Sequence, residues 1–246
     1  MPHRSPPSVS RLPPAGIKAV FFDAGATLIH PEPPVEEVYA RAFSDGRVRF
    51  STQQLSRALT RAWEQVHAEG AADRYGGVRG EPEFWRTFLN RVRGFLDGGS
   101  VSAEAFARLA SHFGDPASWV VYEDVLPALE DLSERGLLLA VVSNWDSQLP
   151  RLLEGLGIAS RFRTLSVSAI EQTGKPEPEI FLRTCARLDV SPAEALHVGD
   201  SVREDFEGAR GAGLAAFLLD REDRFPDRPL RLRSLAELPS RIGVPE

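Results

Sequence analysis

The spacing of hydrophobic and polar positions changes near residue 120. From residue 34 to residue 113, apolar residues recur three and four positions apart, which predicts helices that each bury one face. Ser51 and Gln54 resemble a capping box at the start of one such helix. Its apolar stripe comprises Leu55, Ala58, Leu59, Ala62, Trp63 and Val66. Two more helices are predicted, from an aromatic-rich stripe over residues 84–96 and from the stretch after Ser102. We expect most of these aromatic side chains to form the core of a helix bundle and a few to face a cleft.

After residue 120, short apolar runs alternate with helical patterns. The continuous apolar run over residues 137–142 is typical of a strand buried on both faces. Further strands are predicted over residues 162–167, 195–198 and 214–219. The helices between the strands are predicted over 124–135, around 152–156, over 180–188 and near Ala209. This alternation indicates βαβ units and a parallel sheet with helices on both faces.

The two patterns together predict an α/β fold with an insertion. We expect a doubly wound parallel sheet, a Rossmann-like core, built from residues 17–30 and 118–246. Residues 31–117 are predicted to form an all-helical cap domain inserted after the first strand. The first sixteen residues hold five prolines and little apolar material, which predicts a disordered tail and not a signal peptide.

The composition and charge of the chain argue against some classes of binding partner. The net charge of −6 argues against a nucleic-acid surface, because phosphate contacts favour a basic patch. No apolar stretch reaches the ~18–20 residues that span a bilayer, so we expect no membrane contact. The single cysteine, Cys185, excludes an internal disulfide and fits a reducing compartment, which makes the cytoplasm the expected location. No pattern in the sequence specifies an oligomeric state.

Two clusters of chemically active residues follow the first predicted strands. Asp23 ends an apolar strand and precedes the turn Ala24-Gly25-Ala26-Thr27. The small residues of this turn let backbone N–H groups approach an anion closely, and Thr27 can hydrogen-bond within the turn. Ser143 and Asn144 directly follow the run that ends at Val142, and their side chains could hold an oxyanion.

Two further clusters lie at later strand ends. The loop Gly174-Lys175-Pro176 presents one ammonium group before a helix begins. Gly199-Asp200 follows the strand over residues 195–198, and Asp205 comes soon after, so this loop offers two carboxylates to a hard cation. Each cluster alone is ordinary turn chemistry. Ligands bind outside the carboxyl ends of parallel strands, so the four clusters together predict one site.

In this order, the four clusters resemble motifs I to IV of the haloacid dehalogenase (HAD) superfamily, over roughly residues 17–220. The helical insertion is similar to the cap found after motif I in the dehalogenase and phosphoglycolate-phosphatase-like subgroup. The resemblance implies that Asp23 attacks a phosphoryl group and forms an aspartyl-phosphate that water then cleaves. It also implies that Ser143 binds the phosphoryl oxygens, Asn144 supports that loop, and Lys175 neutralises charge.

The same resemblance implies a Mg²⁺ site. Asp200 would bind the cation together with Asp23 and the backbone carbonyl of Gly25, and Asp205 would act directly or through water. A carboxylate can attack a phosphate dianion only if their repulsion is offset, which a divalent cation and a lysine would do. The substrate implied is a small phosphorylated molecule.

One position departs from the family pattern. Family phosphatases usually carry a second aspartate two residues after the nucleophile, as general acid for the leaving alcohol, and this chain has Gly25 there. The chain would then be a phosphohydrolase for good leaving groups, or one that uses another acid from the cap. Alternatively, it is a 2-haloacid dehalogenase, whose halide needs no proton, or a catalytically weakened protein that binds a ligand.

The metal-binding pattern favours the phosphatase among these alternatives, because the dehalogenases do not need Mg²⁺ and this chain retains Asp200 and Asp205. Phosphonate cleavage would need a Schiff-base lysine in the cap, and residues 34–113 contain no lysine. We therefore predict a Mg²⁺-dependent hydrolase of a small phosphorylated metabolite. Trp145 and Asp146, directly after Asn144, are candidates for substrate contact, and His197 is predicted to be a hydrogen-bonded core residue.

Overall fold

The computed structural model describes residues 16–44, 49–69 and 77–242. Apart from Gly16, the predicted tail lies outside these residues. The strands in the described ranges are β1 (Ala19–Phe22), β2 (Ile29–Pro31), β3 (Trp119–Val121), β4 (Leu138–Ser143), β5 (Thr164–Val167), β6 (Ala195–Gly199), β7 (Ala215–Leu219) and β8 (Arg231–Leu232). The α-helices there are α1 (Val35–Phe43), α2 (Thr52–Glu69), α3 (Gly77–Leu96), α4 (Ala103–Phe113), α5 (Val125–Glu134), α6 (Leu149–Gly155), α7 (Ser168–Glu171), α8 (Pro178–Arg187), α9 (Gly208–Gly211) and α10 (Leu238–Arg241).

A six-stranded parallel sheet lies at the centre, in the order β5-β4-β1-β6-β7-β8. Successive residues of β1 point to opposite faces, and all four are fully buried. Val20 and Phe22 pack with apolar residues of α5, α6 and α10, whereas Ala19 and Phe21 pack with those of α8 and α9. Helices therefore cover both faces, which confirms the predicted doubly wound α/β fold.

The helices α1 to α4 share an apolar cluster of their own, with Leu55, Ala62 and Val92 fully buried in it. The Ser51 amide donates to Gln54 Oε1 at 2.9 Å and the Ser102 hydroxyl accepts from the Ala105 amide at 3.1 Å, so both predicted helix starts are confirmed. The division of the chain into core and cap at residues 31–117 stays a prediction. None of the described helices is long and apolar enough to cross a membrane.

Short elements differ most from the sequence expectations. Strands β2 and β3 pair antiparallel in a two-stranded sheet that was not predicted, because three residues are too few for a recognisable alternation. Strand β5 begins at Thr164 and not at residue 162. Phe162 instead packs into the core, with its ring 6.3 Å from that of Phe22. A π-helical turn over Val202–Glu207, which was also not predicted, precedes α9.

Candidate active site

The sheet order brings three of the four motif clusters to one edge. Strand β1 pairs in parallel with β4 on one side and β6 on the other, so the carboxyl ends of these three strands are neighbours. Asp23 follows β1, Ser143 is the last residue of β4, and Asp200 follows β6. The Lys175 loop precedes α8, which packs against β4 and β5. The predicted site residues therefore meet at the position expected for a doubly wound fold.

Asp23 lies between two donors at the centre of this edge. Its Oδ1 accepts from Ser143 Oγ at 2.9 Å and from Lys175 Nζ at 2.6 Å. Lys175 Nζ also donates to Asp205 Oδ1 at 2.5 Å. Lys175 is only 3% exposed, so its charge lies between two carboxylates in a weakly screened environment, where ion pairs interact strongly.

The side chain of Asn144 hydrogen-bonds to the backbone of Lys175. Its Nδ2 donates to the Lys175 carbonyl and its Oδ1 accepts from the Lys175 amide, both at 2.8 Å. This pair of hydrogen bonds joins the loop after β4 to the lysine loop. The backbone of Lys175 is therefore fixed relative to Ser143, one residue before Asn144.

Asp205 is held by three neighbours. Besides Lys175, its Oδ1 accepts from His197 Nε2 at 2.8 Å, and its Oδ2 accepts from the Ser201 amide at 2.9 Å. His197 is fully buried in β6, which confirms the prediction of a hydrogen-bonded core histidine. The carboxylate also lies against Gly199, where a Cβ would be 2.2 Å from Asp205 Cγ. A side chain at Gly199 is therefore incompatible with this position of Asp205.

Three carboxylates share this site with one ammonium group. Oxygen atoms of Asp23, Asp200 and Asp205 all lie within 4.8 Å of one another. Burial, with the charge of Asp205 adding to it, raises the pKa of Asp23 to about 6, although Lys175 opposes the shift. Burial and the neighbouring charges of Asp23 and Asp205 raise the pKa of Asp200 to about 7. The site therefore carries an excess of negative charge.

Neighbouring charges favour the ionised forms of Asp205 and Lys175. Burial favours the neutral form of Asp205, but Lys175 and His197 hold the pKa of Asp205 well below its usual range. Burial likewise disfavours the charge on Lys175, yet the two carboxylates raise the pKa of Lys175. Lys175 is thus charged and shared, and a divalent cation would offset the remaining negative charge. Carboxylate oxygens are the donors that Mg²⁺ prefers, so the residues fit that ion. The Gly25 carbonyl as a further ligand stays a prediction.

The turn after Asp23 differs from the expectation at one residue. The hydroxyl of Thr27 could hydrogen-bond within the turn, but it is buried and has no hydrogen-bond partner in the described part of the chain. Backbone groups close the turn instead, because the Ala24 carbonyl accepts from the amides of Leu28 and Ile29.

Trp145 covers Gly25. A Cβ built on Gly25 would lie 2.9 Å from Trp145 Cζ3, so the indole fills the space in which a side chain at residue 25 would begin. The backbone of Trp145 is fixed by Ser168, whose Oγ accepts from the Trp145 amide at 3.1 Å. The Trp145 ring also packs against that of Trp119, with 5.2 Å between centroids. An apolar ring therefore lies against the position at which the resemblance to the family would place a general acid.

A cavity of about 690 Å³ opens beside these residues. Asn144, Trp145, Asp146 and Asp200 line it from the sheet side, and residues of α1 to α4 line it from the other. Trp145 and Asp146, the candidates for substrate contact, both face this cavity. The volume is within the usual range for a small-molecule site.

The loop after β4 is also tied to helix α3. The Ser147 amide and hydroxyl donate to the two oxygens of Glu81 at 2.6 and 2.8 Å, and Trp85 Nε1 donates to Asp146 Oδ2 at 3.0 Å. Sequence reasoning missed Glu81, because nothing near it distinguishes it from the exposed acids of the same segment. The only available signal was its place beside Pro82, near the start of a helix.

Comparisons with known proteins identify the family of the chain. The sequence model of the haloacid dehalogenase-like hydrolases matches residues 17–213. The chain is 34% identical over 212 residues to haloacid dehalogenase-like hydrolase domain-containing protein 3 of Mus musculus, covering 82% of each chain. It is 31% identical over 188 residues to a phosphoserine phosphatase of Thermus thermophilus, covering 74% of this chain and 73% of that one. The crystal structure of a HAD phosphatase from Thermococcus onnurineus is similar with a TM-score of 0.64 at 26% identity, covering 93% of this chain and 99% of that one.

Proposed function

The chain belongs to the haloacid dehalogenase-like hydrolase family, and from that premise we propose that it is a Mg²⁺-dependent phosphatase of small phosphorylated metabolites. The observation that carries the proposal is the Asp23 carboxylate, which Lys175 and Ser143 hold beside Asp200 and Asp205. Relatives that are themselves called phosphatases support the same class of reaction.

Asp23 is the proposed nucleophile. Its carboxylate oxygen forms a bond to phosphorus while the bond from phosphorus to the leaving oxygen breaks, and the leaving group takes the electron pair. Water then cleaves the aspartyl-phosphate, releases phosphate and regenerates Asp23. Lys175 reduces the repulsion between the attacking carboxylate and the phosphate dianion, and Ser143 Oγ is a hydrogen-bond donor for a phosphoryl oxygen.

Asp23, Asp200 and Asp205 are the side chains that would hold the cation. When bound, Mg²⁺ supplies charge neutralisation at the phosphoryl oxygens. Asp205 has a second task in this proposal, because it fixes the ammonium of Lys175 next to Asp23. His197 and the Ser201 amide keep Asp205 in place for it.

The missing acid limits the substrates. General acid catalysis contributes about 10²–10⁴-fold when a poor leaving group must be protonated. Gly25 cannot donate a proton, and Trp145 fills the space beside it. We therefore assign to this site phosphates whose leaving group departs as a stable anion, such as aryl or acyl phosphates.

The Gly25–Trp145 contact also favours a second candidate, 2-haloacid dehalogenation, because a halide leaves without a proton. One screen separates the candidates: phosphate esters, acyl phosphates and 2-haloacids, each assayed with Mg²⁺ and with chelator. We expect phosphate release that the chelator abolishes. Halide release that is indifferent to chelator would replace the phosphatase by a dehalogenase. Turnover of neither class would leave a protein that binds a ligand.

A further inference from the structure

We propose that the cavity beside Asp23 binds the leaving group of the substrate and selects an uncharged aromatic ring. This inference rests on the proposed phosphatase function and names the class of substrate for that same site. Three features of the cavity carry it: its tryptophans, its charges and its position beside the Gly25–Trp145 contact.

All four tryptophans of the chain line this one cavity. Trp63 and Trp85 come from α2 and α3, and their rings pack edge to face with centroids 6.2 Å apart. Trp119 and Trp145 come from the sheet side, with centroids 5.2 Å apart. The cavity is therefore bounded by one tryptophan pair on each side, and aromatic rings pack well against the edges and faces of such pairs.

The charged residues that line the cavity are all acids. They are Glu36, Asp146 and Asp200, and no lysine or arginine is among the described residues of the lining. A leaving group with its own carboxylate would therefore find acidic side chains and no lysine or arginine to pair with in this lining, which is costly in a buried site. An uncharged ring avoids both the repulsion by these acids and the cost of burying an unpaired charge. This charge pattern disfavours substrates that resemble phosphoserine or another phosphorylated acid.

The position of the cavity links the ring to the chemistry. Asn144 and Asp200 line it together with Trp145, and Trp145 lies over Gly25, two residues from Asp23. An aromatic ring bonded directly to the leaving oxygen also stabilises the departing phenolate anion. The absent side chain at Gly25 and the tryptophan lining thus point to the same aromatic substrates.

The test compares benzoyl phosphate with acetyl phosphate in the presence of Mg²⁺. Both release a carboxylate of similar basicity, so the comparison isolates the ring. We expect kcat/KM for benzoyl phosphate to be at least about tenfold higher, a typical effect of apolar contacts in a substrate pocket. In Trp63→Leu this preference should fall to about twofold or less.

Phe95→Leu is the matched control. Phe95 lies on α3 and packs in the same apolar cluster as Trp63, but it is not part of the cavity lining. Its substitution should leave the ratio of the two kcat/KM values unchanged. An equal loss of preference in both variants would mean that general loosening of the helices, and not the cavity, sets the ratio, and would overturn the inference.

Other outcomes separate this inference from the proposed function. Equal kcat/KM for the two acyl phosphates, with release that needs Mg²⁺, overturns the aromatic selection and leaves the phosphatase standing. Release from neither substrate overturns the phosphatase. In that case the quenching of tryptophan fluorescence by phenylphosphonate and by methylphosphonate still tests the cavity. Tighter binding of phenylphosphonate supports it, and equal dissociation constants overturn it.

Discussion

The indole of Trp145 lies so close to Gly25 that a Cβ on Gly25 would be 2.9 Å from Trp145 Cζ3. The two residues come from different loops, one after β1 and one after β4. Because the indole is rigid and its backbone is fixed by Ser168, it cannot yield to a new side chain without a shift of the loop. The position of the Trp145 ring therefore depends on the absence of a side chain at residue 25.

Gly25→Asp alone is expected to damage the site and not to improve it. Overpacking of this kind typically costs about 1–3 kcal/mol, so the thermal midpoint should fall and the hydrolysis of alkyl phosphates should not rise. In Trp145→Ala, where space exists, the added Gly25→Asp should raise alkyl phosphate turnover by about tenfold or more. Steady-state kinetics on the two single variants and the double variant check this. A stable Gly25→Asp enzyme with faster alkyl turnover would show that Trp145 is no obstacle.

Asp23→Asn should abolish phosphate release, by about 10⁴-fold or more, because an amide is not a nucleophile toward phosphorus. The side chain is nearly isosteric and keeps an oxygen for Ser143 and Lys175, so circular dichroism should show an intact fold. Asp189→Asn is the matched control, because Asp189 is an exposed aspartate with positive φ, a conformation that asparagine tolerates. Substantial activity in Asp23→Asn would mean that the nucleophile is another residue.

Gly199→Ala should displace Asp205, because the new Cβ would be 2.2 Å from Asp205 Cγ. Lys175 then loses a partner and the carboxylate cluster loses its arrangement, so we expect at least about a 100-fold loss of activity with weaker Mg²⁺ binding. Gly211→Ala, at the end of α9, meets nothing within 4 Å and should be neutral or stabilising by up to about 1 kcal/mol. Activity assays and isothermal titration with Mg²⁺ distinguish the two glycines. Equal behaviour of both variants would contradict the role of this contact.

Asp200→Asn tests the excess negative charge. Burial raises the pKa of Asp200 to about 7 from an ordinary value of 3.8, so the folded state holds the proton more tightly than the unfolded state. Without Mg²⁺, the free energy of unfolding should therefore fall as the pH rises from about 4 to about 7. In Asp200→Asn this fall should be smaller by about 1–2 kcal/mol. Thermal melts across that range measure the difference.

The same melts with Mg²⁺ supply the control for this charge. At about pH 8 the cation should raise the midpoint of the unsubstituted protein and of Asp189→Asn, but not that of Asp200→Asn. An equal rise in all three proteins would show that Mg²⁺ binds somewhere other than this cluster.

The sequence was sufficient to predict the convergence of Asp23, Ser143 and Asp200, because strand ends of a parallel sheet share one edge whatever the detailed order. Helix starts at Ser51 and Ser102 were equally predictable, since capping is decided by residues three apart. The strand order itself depends on pairings between distant segments, which no local pattern encodes.

The contacts around Gly25 could not be predicted for the same reason. Trp145 contacts Gly25 because the loop after β4 lies against the loop after β1. The sequence of neither loop indicates this contact. The shared cavity of the four tryptophans is a further case. Trp63 and Trp85 each fit a helical apolar stripe, which predicts that their rings pack in the helix core. In the structure both rings line the cavity, whose other wall is formed by residues of the sheet side.

The hydrogen-bonded chain from Asp23 through Lys175 to Asp205 spans most of the polypeptide. Asp23 lies 152 positions before Lys175, which in turn lies 30 positions before Asp205. A ribosome therefore makes Asp23 early and its partners Lys175 and Asp205 late, and any product that stops before residue 205 lacks part of the candidate site. Premature termination or proteolytic loss of the carboxyl-terminal half thus yields fragments that lack part of this hydrogen-bonded chain.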